Sequence, residues 1–175
     1  MERIKSQEIY KGYVFTLRKD TLRLPEGKEI QRDVIAHPGA VVILAVDPDG
    51  QLLFVRQYRH AAGEALLELV AGTREPGEEP EVTAAREIQE EAGYKAGKLT
   101  KIGAFFSAPG FCDELLHLYL AEELTPSRLP GDEDEDITLE RLSLEEAIRM
   151  ALAGEFRDAK TLAGVLLYAQ RLQSR

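Results

Sequence analysis

Between Gly72 and Tyr94 the chain reads GTREPGEEPEVTAAREIQEEAGY, and the carboxylates of Glu78, Glu87, Glu90 and Glu91 are gathered around Arg86. At 100° per residue, a helix over Glu79–Ala92 puts Val82, Ala85, Ile88 and Ala92 on one arc and Glu87, Glu90 and Glu91 on the other. Glu87 and Glu91 are one turn apart, and like charges at that spacing cost a helix roughly 0.2–0.5 kcal/mol per pair. A hard divalent cation such as Mg²⁺ turns this repulsion into coordination, because it takes carboxylate oxygens and keeps waters to share with phosphate oxygens. A solvated acidic face is the plainer reading of a Glu-rich helix. Glu78, brought to the same neighbourhood from outside the helix, weighs against it.

The elements that must hold these carboxylates are marked in the flanking sequence. Pro80 suits a first helical turn, and Gly93 suits the left-handed residue that ends a helix. YVFTLRKDTLRL and IQRDVIA alternate loosely around a PEGKE turn, which predicts a hairpin-like section near the amino terminus. AVVILAV and QLLFVRQY read as strands joined by the tight reversal DPDG, and ALLELVAG as one further short strand. After the helix, KIGAFFSA and ELLHLYLAEEL return to strand character. SLEEAIRMALAGEF and DAKTLAGVLLYAQRLQ read as amphipathic helices, the first with Ser143 as N-cap and Glu146 in the capping-box position. A mixed sheet flanked by helices is the expected α/β architecture.

Composition bounds what this site can serve. With 175 residues and 44% hydrophobic content, one globular domain is expected, with room for a small appendage. A net charge of −9 without a basic cluster argues against nucleic-acid binding, which needs a Lys/Arg stripe facing the phosphates. The single cysteine, Cys112, fits a reducing compartment and a structural thiol. The segment after Met1 is charged and no apolar run approaches eighteen residues, so neither a signal peptide nor a membrane span is expected, and the cytosol is the default.

The stretch also fits a pattern, G-x5-E-x7-R-E-U-x-E-E-x-G-U with U a bulky apolar residue. Gly72, Glu78, Arg86, Glu87, Ile88, Glu90, Glu91, Gly93 and Tyr94 fill it in register. In this the chain resembles the Nudix hydrolases. Tyr94 is less usual at the last apolar position, and Arg74 stands where relatives generally carry an aliphatic residue. The resemblance implies an α/β/α sandwich with a mixed sheet and hydrolysis of a nucleoside diphosphate linked to another moiety. It implies Mg²⁺ as cofactor, for which Mn²⁺ can substitute. Glu87 and Glu91 would be the primary ligands, with Glu90 assisting catalysis and the Ala71 carbonyl adding one oxygen. Gly72, Glu78, Arg86 and Gly93 would be the structural part of the motif, Arg86 pairing with Glu78 to hold loop to helix.

Downstream, FSAPGFCDE places Pro109 fifteen residues past Tyr94, with Gly110 next and Glu114 following. This is similar to the ADP-ribose pyrophosphatase branch, although Pro-Gly is also a plain turn dipeptide. VRQYRH resembles that branch's substrate-binding segment, Arg59 reaching the phosphates or terminal ribose and Arg56 an ordinary strand-end charge. LLELVAG resembles it too, with Glu68 contacting substrate or metal. The resemblance assigns residues 1–38 to an amino-terminal β section and 39–175 to the hydrolase domain. In that branch the amino-terminal section helps build a homodimer and contacts adenine, here through Tyr13, Phe15 or Arg32, a core role being the alternative for the aromatics. The acidic run PGDEDEDI is ordinarily a solvent-facing loop. By resemblance it supplies a general base on the attacking water: Glu133, with Glu135 as an additional metal ligand, the reverse assignment staying open. The implied reaction is cleavage of ADP-ribose to AMP and ribose 5-phosphate. The alternatives are ADP-glucose or GDP-mannose as substrate, a non-catalytic ADP-ribose sensor, and a structural acidic domain.

Overall fold

The structure is a computed structural model that describes residues 1–131 and 136–174. Strands β1 (Glu2–Lys11), β2 (Thr16–Arg23) and β3 (Glu29–Ala36) form an antiparallel sheet of their own. A second sheet holds β4 (Ala40–Val46), β5 (Leu52–Arg59), β6 (Glu64–Glu68), β7 (Val70–Thr73), β8 (Tyr94–Phe106), β9 (Leu115–Pro126) and β10 (Ile137–Leu142). Its main order is β10-β5-β4-β9-β8, with β6 on β5 and β7 on β4. The β4–β9 pair is parallel and its neighbours are antiparallel, so the sheet is mixed.

β4 explains the layering. All but the last of its residues are buried, and alternation sends Val41, Ile43 and Ala45 to one face and Val42 and Leu44 to the other. The first set meets Ala84 and Ile88 of helix α1 (Pro80–Glu91) and Ala92, its C-cap. The second meets Ala147 and Ala151 of helix α2 (Leu144–Leu152) and Val165 and Tyr168 of helix α3 (Ala159–Gln173). The result is an α/β/α sandwich with an apolar core on each face of the sheet.

Local chemistry fixes the helix ends. Pro80 opens α1, and Gly93, at φ 75°, takes the left-handed turn that ends it. The Ser143 hydroxyl accepts the Glu146 N–H at 3.1 Å, and the Asp158 carboxylate accepts the Thr161 N–H at 3.0 Å. Thr161 also anchors α3 to the sheet, its hydroxyl accepting the Leu69 N–H at 2.8 Å. Beside it, a Cβ on Gly164 would stand 2.5 Å from Leu69 Cδ1, so the helix lies almost against that side chain.

Several elements differ from the expectation. β1 was not expected: its side chains are exposed on nearly every position, so no hydrophobic period marks it, and its pairing with β2 supplies the order. ALLELVAG is two strands, because Leu69 passes the chain from β5, which β6 pairs, to β4, which β7 pairs. β8 begins at Tyr94, seven residues before KIGAFFSA. The buried face of α1 holds Thr83, Ala84, Glu87, Ile88 and Glu91, whereas Val82 is 58% exposed.

Candidate functional site

The inward turn of Glu87 and Glu91 is the first fact of the site: each is only 9% exposed although charged. Arg86 is the counter-charge of Glu87 on α1. One of its terminal nitrogens donates to Glu87 Oε1 at 2.7 Å and to Glu90 Oε2 at 2.8 Å. Its Nε and second terminal nitrogen each lie 3.2 Å from a Glu78 oxygen. Burial alone pulls this guanidinium down, but the bonds to Glu78, Glu87 and Glu90 outweigh it and hold the group above its ordinary value. Glu78 is held below the usual carboxylate value, first by the Arg86 hydrogen bond, against its burial and with help from the Glu75 N–H and the Thr83 hydroxyl. Arg74, the unusual residue in the motif, donates to the Glu78 carbonyl oxygen from Nε at 3.1 Å.

β7 forms the floor. The Ala71 N–H donates to Glu91 Oε2 at 3.1 Å. A Cβ on Gly72 would stand 1.9 Å from the Glu87 carboxyl carbon, so Glu87 rests directly on backbone. Only glycine leaves that space.

A second charged group comes from three elements. Glu68, at the end of β6, is 1% exposed and accepts two parallel bonds of 2.8 Å from the Arg59 guanidinium at the end of β5. The Lys160 ammonium of α3 donates to the same carboxylate and lies 3.0 Å from Asp158 Oδ2. Burial pushes Glu68 up, but Arg59 and Lys160 together bring it below its ordinary value. Arg59 is raised chiefly by its bond to Glu68, with the charge of Glu91 contributing, so the two groups share one field.

Both groups line one cavity of about 1450 Å³. Arg59 and Lys160 line it, as do Ala71, Gly72, Glu87 and Glu91. Glu114 also faces it, its Oε1 lying 3.7 Å from His37 Nδ1, and so does Tyr13, which is fully exposed. Arg32, Pro109 and Gly110 line a separate, smaller cavity of about 230 Å³ between β3 and the 107–114 segment. Phe15 is 39% exposed and tilts against Tyr10 at 6.5 Å between ring centroids. Arg56 pairs with Glu140 on the surface. Glu133 and Glu135 lie outside the described residues. The sequence reading passed over Lys160 and Asp158, whose only signal was the Asp-Ala-Lys-Thr start of a helix, 92 residues from the glutamate that Lys160 meets.

The carboxylate wall suits a hard divalent cation. Glu87, Glu90 and Glu91 offer only oxygen donors, they line the same cavity, and the glycine cradle brings a carboxylate against the backbone of β7. As the side chains lie, with Arg86 set between Glu78, Glu87 and Glu90, no three acidic, His or Cys groups among the described residues are close enough to share one ion. Taking up an ion therefore requires Glu87 and Glu90 to exchange part of their hold on Arg86 for the metal.

The family model described as "NUDIX domain" matches residues 36–165. An ADP-ribose pyrophosphatase of Bacillus subtilis is 44% identical over 160 residues, covering 90% of this chain and 86% of that protein. A GDP-mannose pyrophosphatase of Salmonella arizonae is 36% identical, covering 91% and 90% respectively. A crystal structure described as an ADP compounds hydrolase superposes with a TM-score of 0.86, covering 99% of this chain and 94% of its own. At 24% identity that likeness speaks for the fold alone.

Proposed function

This chain belongs to the NUDIX family and is a hydrolase of that family, and we propose that it cleaves ADP-ribose to AMP and ribose 5-phosphate with Mg²⁺. The observation that carries the reading is that one cavity is lined both by glutamates of α1 and by cations held by Glu68. A nucleoside diphosphate sugar presents the matching charge: a doubly anionic bridge that cations can hold and carboxylates can reach only through a metal. The cavity volume of about 1450 Å³ accommodates such a ligand.

In this reading Glu87, Glu91 and the Ala71 carbonyl hold the ion, with Glu90 assisting. When bound, the ion polarises a phosphoryl oxygen and lowers the pKa of a coordinated water. Arg86 keeps Glu87 and Glu90 together until then and stays paired with Glu78. Arg59, fixed by its two bonds to Glu68, binds phosphate oxygens. Glu114 and Tyr13 meet the sugar and base ends, whereas Arg32, Pro109 and Gly110 line the separate smaller cavity. Glu133 serves as general base and Glu135 as a further ligand. The amino-terminal sheet, with Ile9, Tyr10 and Val14 exposed, supports a homodimer. The lone Cys112 agrees with a cytosolic setting.

The deciding experiment incubates the purified chain with ADP-ribose, ADP-glucose and GDP-mannose, with and without Mg²⁺, and identifies the products. Release of AMP and ribose 5-phosphate, fastest from ADP-ribose and only with the metal, is expected. Preference for GDP-mannose would move this chain toward its Salmonella relative, and turnover without metal would remove the role given to Glu87 and Glu91.

A further inference from the structure

Arg74 brings a positive charge to the turn that precedes α1 and directs it at backbone. Nε and one terminal nitrogen donate to the Glu78 carbonyl oxygen at 3.1 and 2.5 Å, and the other terminal nitrogen donates to the Pro38 carbonyl oxygen at 3.3 Å. Its own N–H donates to the Gly39 carbonyl oxygen at 3.1 Å. Pro38 and Gly39 join β3 to β4, and this linker is itself fixed: the His37 N–H donates to Asp113 Oδ1 at 2.8 Å and the Gly39 N–H to His37 Nδ1 at 3.1 Å. Glu75, Pro76 and Gly77 are exposed, so the turn has little packing of its own and the Arg74 clasp ties it to the linker. From the end of that turn, Glu78 holds Arg86 on both carboxylate oxygens, and Arg86 holds Glu87 and Glu90.

We propose that Arg74 is a positioning residue for the metal site: by clasping the Glu78 carbonyl to the linker at Pro38, it fixes the carboxylate that draws Arg86 off Glu87 and Glu90, and so sets the affinity for Mg²⁺. The inference rests on the Mg²⁺-dependent reading above and adds to it a residue that acts through Glu78 and Arg86. Uptake of an ion takes Glu87 and Glu90 from Arg86, and Glu78 must then keep the guanidinium. On a fixed backbone it does so at no further ordering cost. On a loose turn Glu78 follows Arg86, which stays with Glu87 and Glu90 and competes with the ion for their oxygens.

Two measurements test it, both with the methylene analogue of ADP-ribose, in which carbon replaces the bridging oxygen. R74M keeps the reach of the side chain and removes its donors. By calorimetry in the presence of the analogue, R74M should bind Mg²⁺ about 10-fold more weakly than the natural chain, the scale of one hydrogen bond from a charged donor. R74K, which still donates to the Glu78 carbonyl, should recover part of that loss. With ADP-ribose the Mg²⁺ concentration for half-maximal rate should rise by the same factor, while kcat at saturating metal changes little. A crystal structure of the unaltered chain with Mg²⁺ and the analogue should show Arg74 on the Glu78 carbonyl and Arg86 paired with Glu78 after giving up Glu87 or Glu90, a result that does not depend on how well R74M folds. An ion bound with Arg86 off Glu78 or still on both Glu87 and Glu90, or R74M binding Mg²⁺ as tightly as the natural chain and losing only thermal stability, would overturn this inference alone. Absence of Mg²⁺ uptake by the unaltered chain would overturn the metal-dependent reading with it.

Discussion

Gly72 and Glu87 are in contact at a distance that no other residue pair could keep: a Cβ at position 72 would lie 1.9 Å from the Glu87 carboxyl carbon and 2.0 Å from Oε1. Gly72 is not in the left-handed region, so alanine can take its backbone conformation. The conflict in G72A is therefore with a flexible carboxylate, which gives way. The chain should fold with a nearly unchanged thermal midpoint, while the displaced Glu87 lowers kcat by about 100-fold, the scale of a 1 Å misplacement. Thermal melts and steady-state kinetics on one preparation check both halves, and full activity would show that Glu87 need not rest on β7.

Exchanging charge without changing shape probes the same wall. E87Q/E91Q keeps both side chains in place and relieves repulsion between neighbours one turn apart, so the fold should survive. Turnover of ADP-ribose should vanish at every Mg²⁺ concentration. Far-UV circular dichroism and a Mg²⁺ titration of activity decide it, and retention of the natural rate would contradict the metal assignment.

Arg86 should matter for stability as well as activity. Its guanidinium is the shared partner of Glu78, Glu87 and Glu90, and R86A leaves three carboxylates facing one another. Loss of charged hydrogen bonds at a partly buried site costs about 2 kcal/mol. The pH dependence follows from Glu78, whose folded-state pKa lies below its ordinary 4.5. Stability from a depressed carboxylate is fully present above the unfolded value and is lost as pH falls through the folded one. The gap between natural chain and R86A in urea denaturation should be widest near neutrality and should shrink below about pH 4.5. A gap independent of pH would separate the role of Arg86 from these carboxylates.

The parts of this molecule that were legible in sequence are those where burial and polarity agree. AVVILAV is apolar because both its faces are covered, and Gly93 and Ser143 mark helix ends by backbone and side-chain chemistry that works locally. Reading failed where the two disagree. The wheel put Val82 inside and Glu87 and Glu91 outside, because it treats every buried face as apolar, whereas α1 buries its glutamates on the site and leaves Val82 to solvent. β1 has no buried side to give it a period. The Arg59–Glu68–Lys160 group is assembled from β5, β6 and α3, and no local pattern links residues so far apart in the chain.

Glu68 tests whether that group is one unit. Its removal in E68A leaves Arg59 and Lys160 without their shared carboxylate, and breaking a buried ion pair from one side costs about 3–5 kcal/mol. E68Q retains an acceptor oxygen for Arg59 and should lose less. Urea denaturation of both variants should give that order. Because Glu68 is itself held below its ordinary 4.5, its share of the stability should be present above that pH and be lost as pH falls below it. Equal stability of E68A and the natural chain would show that the cations stand without it.

The acidic run supplies the last prediction. A general base must remove a proton from the attacking water at the moment that substrate is in place, so its loss touches the chemical step and not the binding of ADP-ribose. E133Q should therefore lower kcat by about 100-fold or more with little change in affinity for the methylene analogue. E135Q, which removes the proposed further ligand, should instead raise the Mg²⁺ concentration needed for half-maximal rate and recover at high metal. The two effects are separable because added metal can restore occupancy but cannot replace a proton acceptor. If E135Q shows the metal-independent loss and E133Q the metal-dependent one, the two glutamates exchange roles, and if neither changes the rate, the base is another residue.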